Sequence, residues 1–357
     1  MRKLRVAIIG QGRSGRNIHA EYFRLPQETA EVVAVVDPLT VRTERSKADF
    51  GCDVYSDYRE LFNRDDIDLI VNATYSYMHM PVTLEFLERG FNVVTEKPAA
   101  IKATDFEKAM ALAKEKGVKL AVFQNSRFAT YYEKVKSIVD SGVLGRIVEV
   151  NISFSGFARR WDWQTLQSFG GGNLYNTGPH PMDQALRFID VPTDEMPTVF
   201  CKMDRANTFG DAEDYVKVIL TAPDRPLVEV NISSCDAYSD YTYKIQGTRG
   251  GLKGTLNQIN WRYFALDETK PQKLSRETLS SPDGLPIYCS ETLPWQEESW
   301  TGDAASPFTV AVGRFYRNIQ AHILEDAPLT VPNEQVLQQI RVIEECHRQN
   351  PLSRLDD

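Results

Sequence analysis

Leu4-Arg5-Val6-Ala7-Ile8-Ile9, running straight into Gly10-Gln11-Gly12-Arg13-Ser14-Gly15, decides how this chain folds. The first six residues are almost all apolar and predict a buried strand. The next six form a G-x-G-x-x-G turn, and Ser14–Leu25 then carries a helical pattern. In such a strand–turn–helix the first glycine makes the tight turn, the second lets backbone approach a pyrophosphate, and the third lets helix and strand pack closely. The helix start adds free N–H groups and a positive dipole end for phosphate. A second apolar run, Val32–Val36, ends at Asp37, about 20 residues beyond the turn, where the dinucleotide fingerprint requires an acidic residue. A carboxylate there accepts the ribose hydroxyls of NAD and repels the 2′-phosphate of NADP, so NAD is the expected cofactor. Arg42 nearby softens that repulsion, which leaves NADP the lesser alternative.

Outward from this motif, the apolar runs Leu69–Ala73, Asn92–Thr95 and Lys119–Phe123 alternate with the helical stretches Val41–Asp49, Pro81–Arg89 and Thr104–Lys116. Near-continuous apolar strands separated by helices predict a parallel sheet covered on both faces. This is an α/β Rossmann unit, placed at residues 1–124. The pattern then changes. Tyr131–Ser141 reads as a helix that ends at Gly142, Arg146–Phe154 as a strand, and Pro181–Phe188 as a helix. Thr198–Met203, Asp214–Thr221, Leu227–Ser233 and Tyr241–Gln246 follow as strands with little helix between them, which predicts an antiparallel or mixed sheet in a second unit, 125–357. Ser281–Ser306 is polar and lacks a period. Phe308–Ile323 and Glu334–Arg348 read as closing helices.

Composition removes several function classes. The chain has 357 residues, enough for two units with cores of their own, and 42% of its residues are hydrophobic. With 41 basic and 49 acidic side chains the net charge is −8, which argues against a nucleic-acid footprint, since that needs a basic face. No apolar run approaches the roughly 18 residues of a membrane span. The basic start Met1-Arg2-Lys3 is followed by apolar residues, but Gly10-Gln11-Gly12 interrupts them too early for a signal-peptide core, and a cytoplasmic protein is expected. Five scattered cysteines and five histidines show no ligand spacing, so neither a metal site nor a disulfide frame is expected.

Ligands of open α/β sheets bind outside the carboxyl ends of the strands. Those ends hold Gly10, Asp37, Thr74, Glu96-Lys97-Pro98 and Gln124-Asn125. Together with the Thr74…His79 segment, and Glu96-Lys97-Pro98 above all, they resemble the glucose–fructose oxidoreductase / inositol dehydrogenase (Gfo/Idh/MocA) family. The resemblance continues through Asn125-Ser126-Arg127-Phe128, Gly142–Ile147, Gly170-Gly171-Gly172, Gly178-Pro179-His180-Pro181-Met182-Asp183 and Ile245–Gly251. It implies a C-terminal unit on a large, mainly antiparallel open sheet, one face carrying a substrate pocket and the other an oligomer interface (dimer or tetramer). It also implies hydride transfer at a secondary alcohol carbon of a sugar, polyol or glycoside. The cofactor residues would be Gly10, Gln11, Gly12, Arg13, Ser14, Gly15, Asp37, Thr74, His79, Glu96, Lys97 and Asn125.

Such a reaction needs a base for the hydroxyl proton and a donor for the developing alkoxide. His180 suits the first, because imidazole titrates near neutrality. Lys97 suits the second, and the resemblance assigns both the same roles. Many relatives carry an aspartate four residues before the histidine; this chain has Asn176, which hydrogen-bonds without adding charge. Asp183 is expected either to share the helix face of His180 or to pair with Arg187. Arg159-Arg160-Trp161-Asp162-Trp163 offers aromatic faces and hydroxyl-reading groups for a ring substrate, alongside Lys97, Asn176 and His180. Two other readings stay open: an NAD-binding sensor without catalysis, and an enzyme that retains its NAD and cycles through keto intermediates.

Overall fold

The computed structural model describes residues 1–302 and 307–355. Six strands make the first sheet: β1 Leu4–Ile9, β2 Ala30–Val36, β3 Asp53–Tyr55, β4 Leu69–Asn72, β5 Val93–Thr95 and β6 Leu120–Val122. Their order is β3-β2-β1-β4-β5-β6, with every pair parallel. Every residue of β4, β5 and β6 is buried, which is why the sequence reads there as unbroken apolar runs. β3 escapes that reading, because it is a three-residue edge strand with no buried position. α2 (Thr40–Phe50), α3 (His79–Glu88) and α4 (Ala103–Lys116) lie between the strands. The strand order reverses between β1 and β4, and at such a switch point a crevice opens beyond the carboxyl ends.

Eight strands make the second sheet: β7 Ile147–Ser153, β8 Thr198–Asp204, β9 Tyr215–Thr221, β10 Leu227–Ser233, β11 Tyr243–Gly247, β12 Gly250–Gly254, β13 Gln258–Tyr263 and β14 Gln296–Thr301. In the order β14-β13-β12-β11-β7-β10-β9-β8, only β7 and β10 run parallel. In β9 and β10 alternate residues are buried, so one face packs while the other stays partly open. Of the strands not expected from the sequence, β13 (Gln-Ile-Asn-Trp-Arg-Tyr) does alternate and buries Ile259 and Trp261, whereas β12 and β14 show no such period. β12 holds three glycines, and β14, Gln-Glu-Glu-Ser-Trp-Thr, is an exposed polar edge inside the stretch Ser281–Ser306. Within that stretch, residues 303–306 lie outside the described residues, as do 356 and 357 at the end of the second unit.

α7, Pro179–Ile189, packs across β7 and β10. Pro179 opens it, and Pro181 falls in the first turn, where a missing N–H removes no intrahelical bond. Asp190 closes it in the left-handed region at φ +52°. The last two helices, α8 (Pro307–Glu325) and α9 (Asn333–Gln349), return to the first sheet. Tyr316 stacks on Tyr22 at 5.3 Å between centroids, Gln320 Nε2 donates to the carbonyls of Arg2 and Glu28, and Asn333 Nδ2 donates to that of Leu120. α9 packs on β8 as well as on β6, so it ties the second sheet to the first. No described helix is long and apolar enough to cross a membrane.

Candidate active site

The glycine turn after β1 is shaped by backbone contacts. Gly10 sits at φ +90°, and a Cβ there would lie 2.5 Å from the carbonyl oxygen of Ala73, just past β4. A Cβ on Gly15 would lie 1.8 Å from the carbonyl oxygen of Gly10. At Gly12 a Cβ would meet nothing within 4 Å, so its backbone faces open space at the mouth of the crevice. Arg13 is exposed there and Ser14 half-buried; a π-helical turn, Gly15–Ala20, follows and leads into α1, Glu21–Arg24. The Gln11 N–H donates to Asp37 Oδ2 at 2.7 Å, the Leu39 N–H to Oδ1 at 3.0 Å, and Arg42 Nη1 to Oδ2 at 3.2 Å. The turn is thus tied to the end of β2. A pyrophosphate fits the open backbone at Gly12, and a ribose fits against Asp37, so the donor set suits a dinucleotide.

The end of β4 depends on Asn72, which is fully buried and was not singled out from the sequence. Its Oδ1 accepts from Thr74 Oγ1 at 2.7 Å, and its Nδ2 donates to the His79 carbonyl and to Thr83 Oγ1. The His79 ring lies between the carbonyls of Pro98 and Thr74, at 2.8 and 3.1 Å. Packed between the loops after β4 and β5, its neutral ring donates its one N–H to one of these two carbonyls, and burial pulls its pKa down. Glu96 is likewise buried: Oε1 faces His19 Nε2 at 3.2 Å, and Oε2 accepts from the Lys97 N–H at 3.1 Å. The structure therefore places His79 and Glu96 beneath the ligand edge, with Thr74 and Lys97 half-buried above them. Lys97 precedes a cis peptide to Pro98, and its Nζ donates to the Asn176 carbonyl oxygen at 2.6 Å.

Asn176 ends the short helix α6, Asn173–Asn176, one turn ahead of His180. Its Oδ1 accepts from Gln164 Nε2 at 3.0 Å, and Arg160 bonds to both Gln164 Oε1 and Asp162. His180 is half-buried, with Nδ1 3.1 Å from Ser126 Oγ. Ser126 belongs to the turn Asn125–Phe128 that follows β6, where Asn125 is also buried. The next residue, Arg127, forms a buried two-pronged pair with Asp183 at 2.8 and 2.6 Å. The Asp183 carboxylate therefore goes to Arg127 and does not form the expected pair with Arg187. Asp183 instead anchors α7 to the turn, three residues beyond His180, because Arg127 lies on the neighbouring element and presents a fork that matches a carboxylate. At the rim, Trp161 is 78% exposed, Arg159 stacks over Phe209, and the Trp163 ring meets Tyr75 edge-on at 5.0 Å.

The electrostatics follow from this packing. Burial, followed by the neighbouring Lys97 charge, pulls the His180 pKa down to about 3, against a smaller upward pull from Glu96. Burial also lowers the pKa of Lys97, while Glu96 raises it and Arg13 lowers it further. At neutral pH His180 is an uncharged imidazole near Lys97, whose Nζ is held at the Asn176 carbonyl. That pair can take a proton from a hydroxyl and hydrogen-bond the oxygen left behind. Ser126 falls inside the Asn125–Phe128 stretch that carries the resemblance and Gln164 directly follows Trp163, but no role is legible for either in the sequence. His19, Asn72 and Glu213 gave no local signal. Glu213 is buried against the start of α6, accepts from the Leu174 N–H at 3.0 Å, and is pushed up to about 7 by burial.

Two family models match the chain. The oxidoreductase family with an NAD-binding Rossmann fold matches residues 4–124, and the Gfo/Idh/MocA C-terminal domain matches 132–253. Among similar proteins, a 2,7-anhydro-N-acetylneuraminate hydratase from Mediterraneibacter gnavus is 27% identical over 81% of this chain and 80% of its own length. The scyllo-inositol 2-dehydrogenase (NADP(+)) of Bacillus subtilis is 27% identical over 96% of this chain and 92% of its own. The WlbA dehydrogenase from Bordetella pertussis, solved with NADH and UDP-GlcNAcA, shares the fold at a TM-score of 0.75, with 21% identity over 99% of each chain.

Proposed function

This chain belongs to the Gfo/Idh/MocA family of NAD-binding oxidoreductases, and from that premise we propose that it moves a hydride to or from a secondary carbinol carbon of a carbohydrate-like ring. The observation that carries this reading is the meeting of two sheets at one point: Lys97, from the end of β5, is bonded to Asn176, one turn before His180. In this reading residues 1–124 hold the cofactor and residues 125–357 present the substrate. NAD would be held by the turn Gly10–Gly15, with Asp37 on its ribose, and would supply the hydride acceptor or donor.

The protein's own groups do the rest. With the Nδ1–H tautomer donating to Ser126 Oγ, the arrangement this reading requires, the Nε2 lone pair of His180 is free for the hydroxyl proton. Lys97 donates to the same oxygen and stabilises it as negative charge develops. Asn176 and Gln164 keep Lys97 and the substrate-facing loop in register, while Arg159, Arg160, Trp161 and Trp163 at the rim provide surface for a ring or glycoside. The sugars named for the relatives, an inositol, an anhydro-sialic acid and a nucleotide sugar, are consistent with this class.

The test is turnover on a panel of polyols, sugars and glycosides by nicotinamide absorbance, with Lys97→Met and His180→Asn as controls. Each substitution lowers kcat about 10²- to 10⁴-fold while NAD still binds. Turnover that survives in both variants overturns the assignment. A hydratase among the similar proteins favours a second outcome: adding water involves no net redox change. If the bound nicotinamide is oxidised and reduced within one cycle, the panel shows product without net change in added NAD, and both variants still lose it.

A further inference from the structure

Behind Lys97 lies a line of polar groups that the reaction does not use directly. Tyr316 Oη, on α8, is 2.6 Å from His19 Nδ1, and His19 Nε2 is 3.2 Å from Glu96 Oε1. Glu96 Oε2 in turn accepts the Lys97 N–H at 3.1 Å. His19 is 0% exposed, and Glu96 and Tyr316 are buried with it. Phe123 meets the His19 ring edge-on at 4.5 Å and fixes its plane. Buried polar groups in such a row are costly unless each is satisfied. Only one neutral arrangement satisfies them all: Tyr316 O–H donates to Nδ1, and Nε2–H donates to the Glu96 carboxylate. The reverse tautomer would aim a bare lone pair at a carboxylate oxygen.

We propose that Tyr316, His19 and Glu96 are positioning residues that hold a buried carboxylate ionised and thereby keep Lys97 a charged ammonium at the cofactor edge. The groups facing Lys97 are Glu96 on its own strand end, Arg13 from the first helix, His79 from α3 and His180 from α7. Both His79 and His180 are pulled down by burial and stay neutral above pH 7. Glu96 is the group among these that favours the ammonium, against burial and Arg13. Burial works against Glu96 as well, yet the His19 hydrogen bond, followed by the charges that His19, Lys97 and His79 present to it, holds it down at about 2. Without a donor from His19, a carboxylate this buried takes up a proton, and Lys97 loses its counter-charge. Because Tyr316 lies near the far end of the sequence and His19 in the π-helical turn after the glycine loop, the relay joins the docking of α8, the cofactor loop and Lys97.

The inference rests on the role given to Lys97 above, so its test must not depend on turnover. The pH dependence of Lys97 acetylation by acetic anhydride, followed at that residue by mass spectrometry, reads its ammonium directly. In Glu96→Gln the midpoint falls by about one pH unit or more, and in Tyr316→Phe it falls by less, with cooperative melting retained in both. The alkaline limb of any pH–rate profile moves the same way. An unchanged midpoint in folded Glu96→Gln overturns the relay. Should that variant fail to fold, an unchanged midpoint in Tyr316→Phe does the same. If no substrate turns over but the midpoint falls, the proposed reaction fails and the relay stands.

Discussion

At the end of β1 the crevice is bounded by backbone: a Cβ on Gly10 or Gly15 would run into a neighbouring carbonyl, and Gly12 between them is left open. Across the crevice, at the start of α7, it is bounded by side chains: Ser126 on His180, Arg127 on Asp183, and Gln164 on Asn176. The two regions respond differently to change. A backbone contact has no softer state, so substitution there is close to all-or-none. A network of side chains can lose one member and keep its shape, so its chemistry is open to adjustment.

The largest effect separates the two glycine roles. Gly15→Val forces a side chain into the Gly10 carbonyl, from which even a Cβ would be 1.8 Å away. It should cost several kcal/mol of stability, as overpacking against backbone does, and lower NAD affinity more than about a hundredfold. Gly12→Ala meets nothing within 4 Å, so the melting temperature should stay within a few degrees while NAD affinity falls about tenfold or more, because the added methyl occupies the pyrophosphate's approach. Calorimetric melting and NAD titration measure both. A Gly12→Ala protein that binds NAD normally would break the assignment of that open backbone to the pyrophosphate.

Asp37 tests whether the backbone side reads the cofactor through a side chain as well. Asp37→Ser removes the charge that repels a 2′-phosphate and leaves Arg42 in place. The ratio of NAD to NADP affinity should fall about tenfold, the scale of a hydrogen bond to a charged group. The ratio is the appropriate reading, since the Gln11 and Leu39 N–H groups lose their acceptor in the presence of either cofactor. An unchanged ratio removes Asp37 from cofactor choice.

The same contrast explains what the sequence made legible. The parallel sheet and the glycine turn were readable because buried strands and tight turns restrict residue type locally. Of the large antiparallel sheet, β7 to β11 came through, the edge strand β8 included, while β13 was missed although its buried residues alternate. β3 and β14 are exposed edges and β12 is rich in glycine, so they leave no period to read. In the site, Lys97 and His180 stood out by their motifs. The partners that orient them lie far off in sequence: Ser126 for His180, Gln164 for Asn176, and Tyr316 with His19 for Glu96. The expected pairing of Asp183 with Arg187 failed for this reason, since helical spacing cannot anticipate a partner such as Arg127 contributed by another element.

The smallest effect asks whether Asn176 is tuned or inert. His180 stays neutral until about pH 3, because burial and then the Lys97 charge disfavour the imidazolium, and Glu96 compensates only in part. Its pKa is lower in the folded chain than in the unfolded one. Stability is therefore unaffected above pH 6.5 and is lost as pH falls from there toward 3, where only the unfolded chain gains a proton. The acidic limb of kcat/KM should accordingly lie well below pH 6.5. Asn176→Asp places a negative charge one helical turn before the ring without disturbing the carbonyl that receives Lys97 Nζ or the oxygen that accepts from Gln164. An anion there favours the imidazolium, so the limb should move up by about one pH unit, and acid stability should improve with it. A limb that stays in place would mean that position 176 serves Lys97 and Gln164 alone. His180 would then work as a weak base whose proton transfer depends mainly on Lys97 stabilising the oxygen.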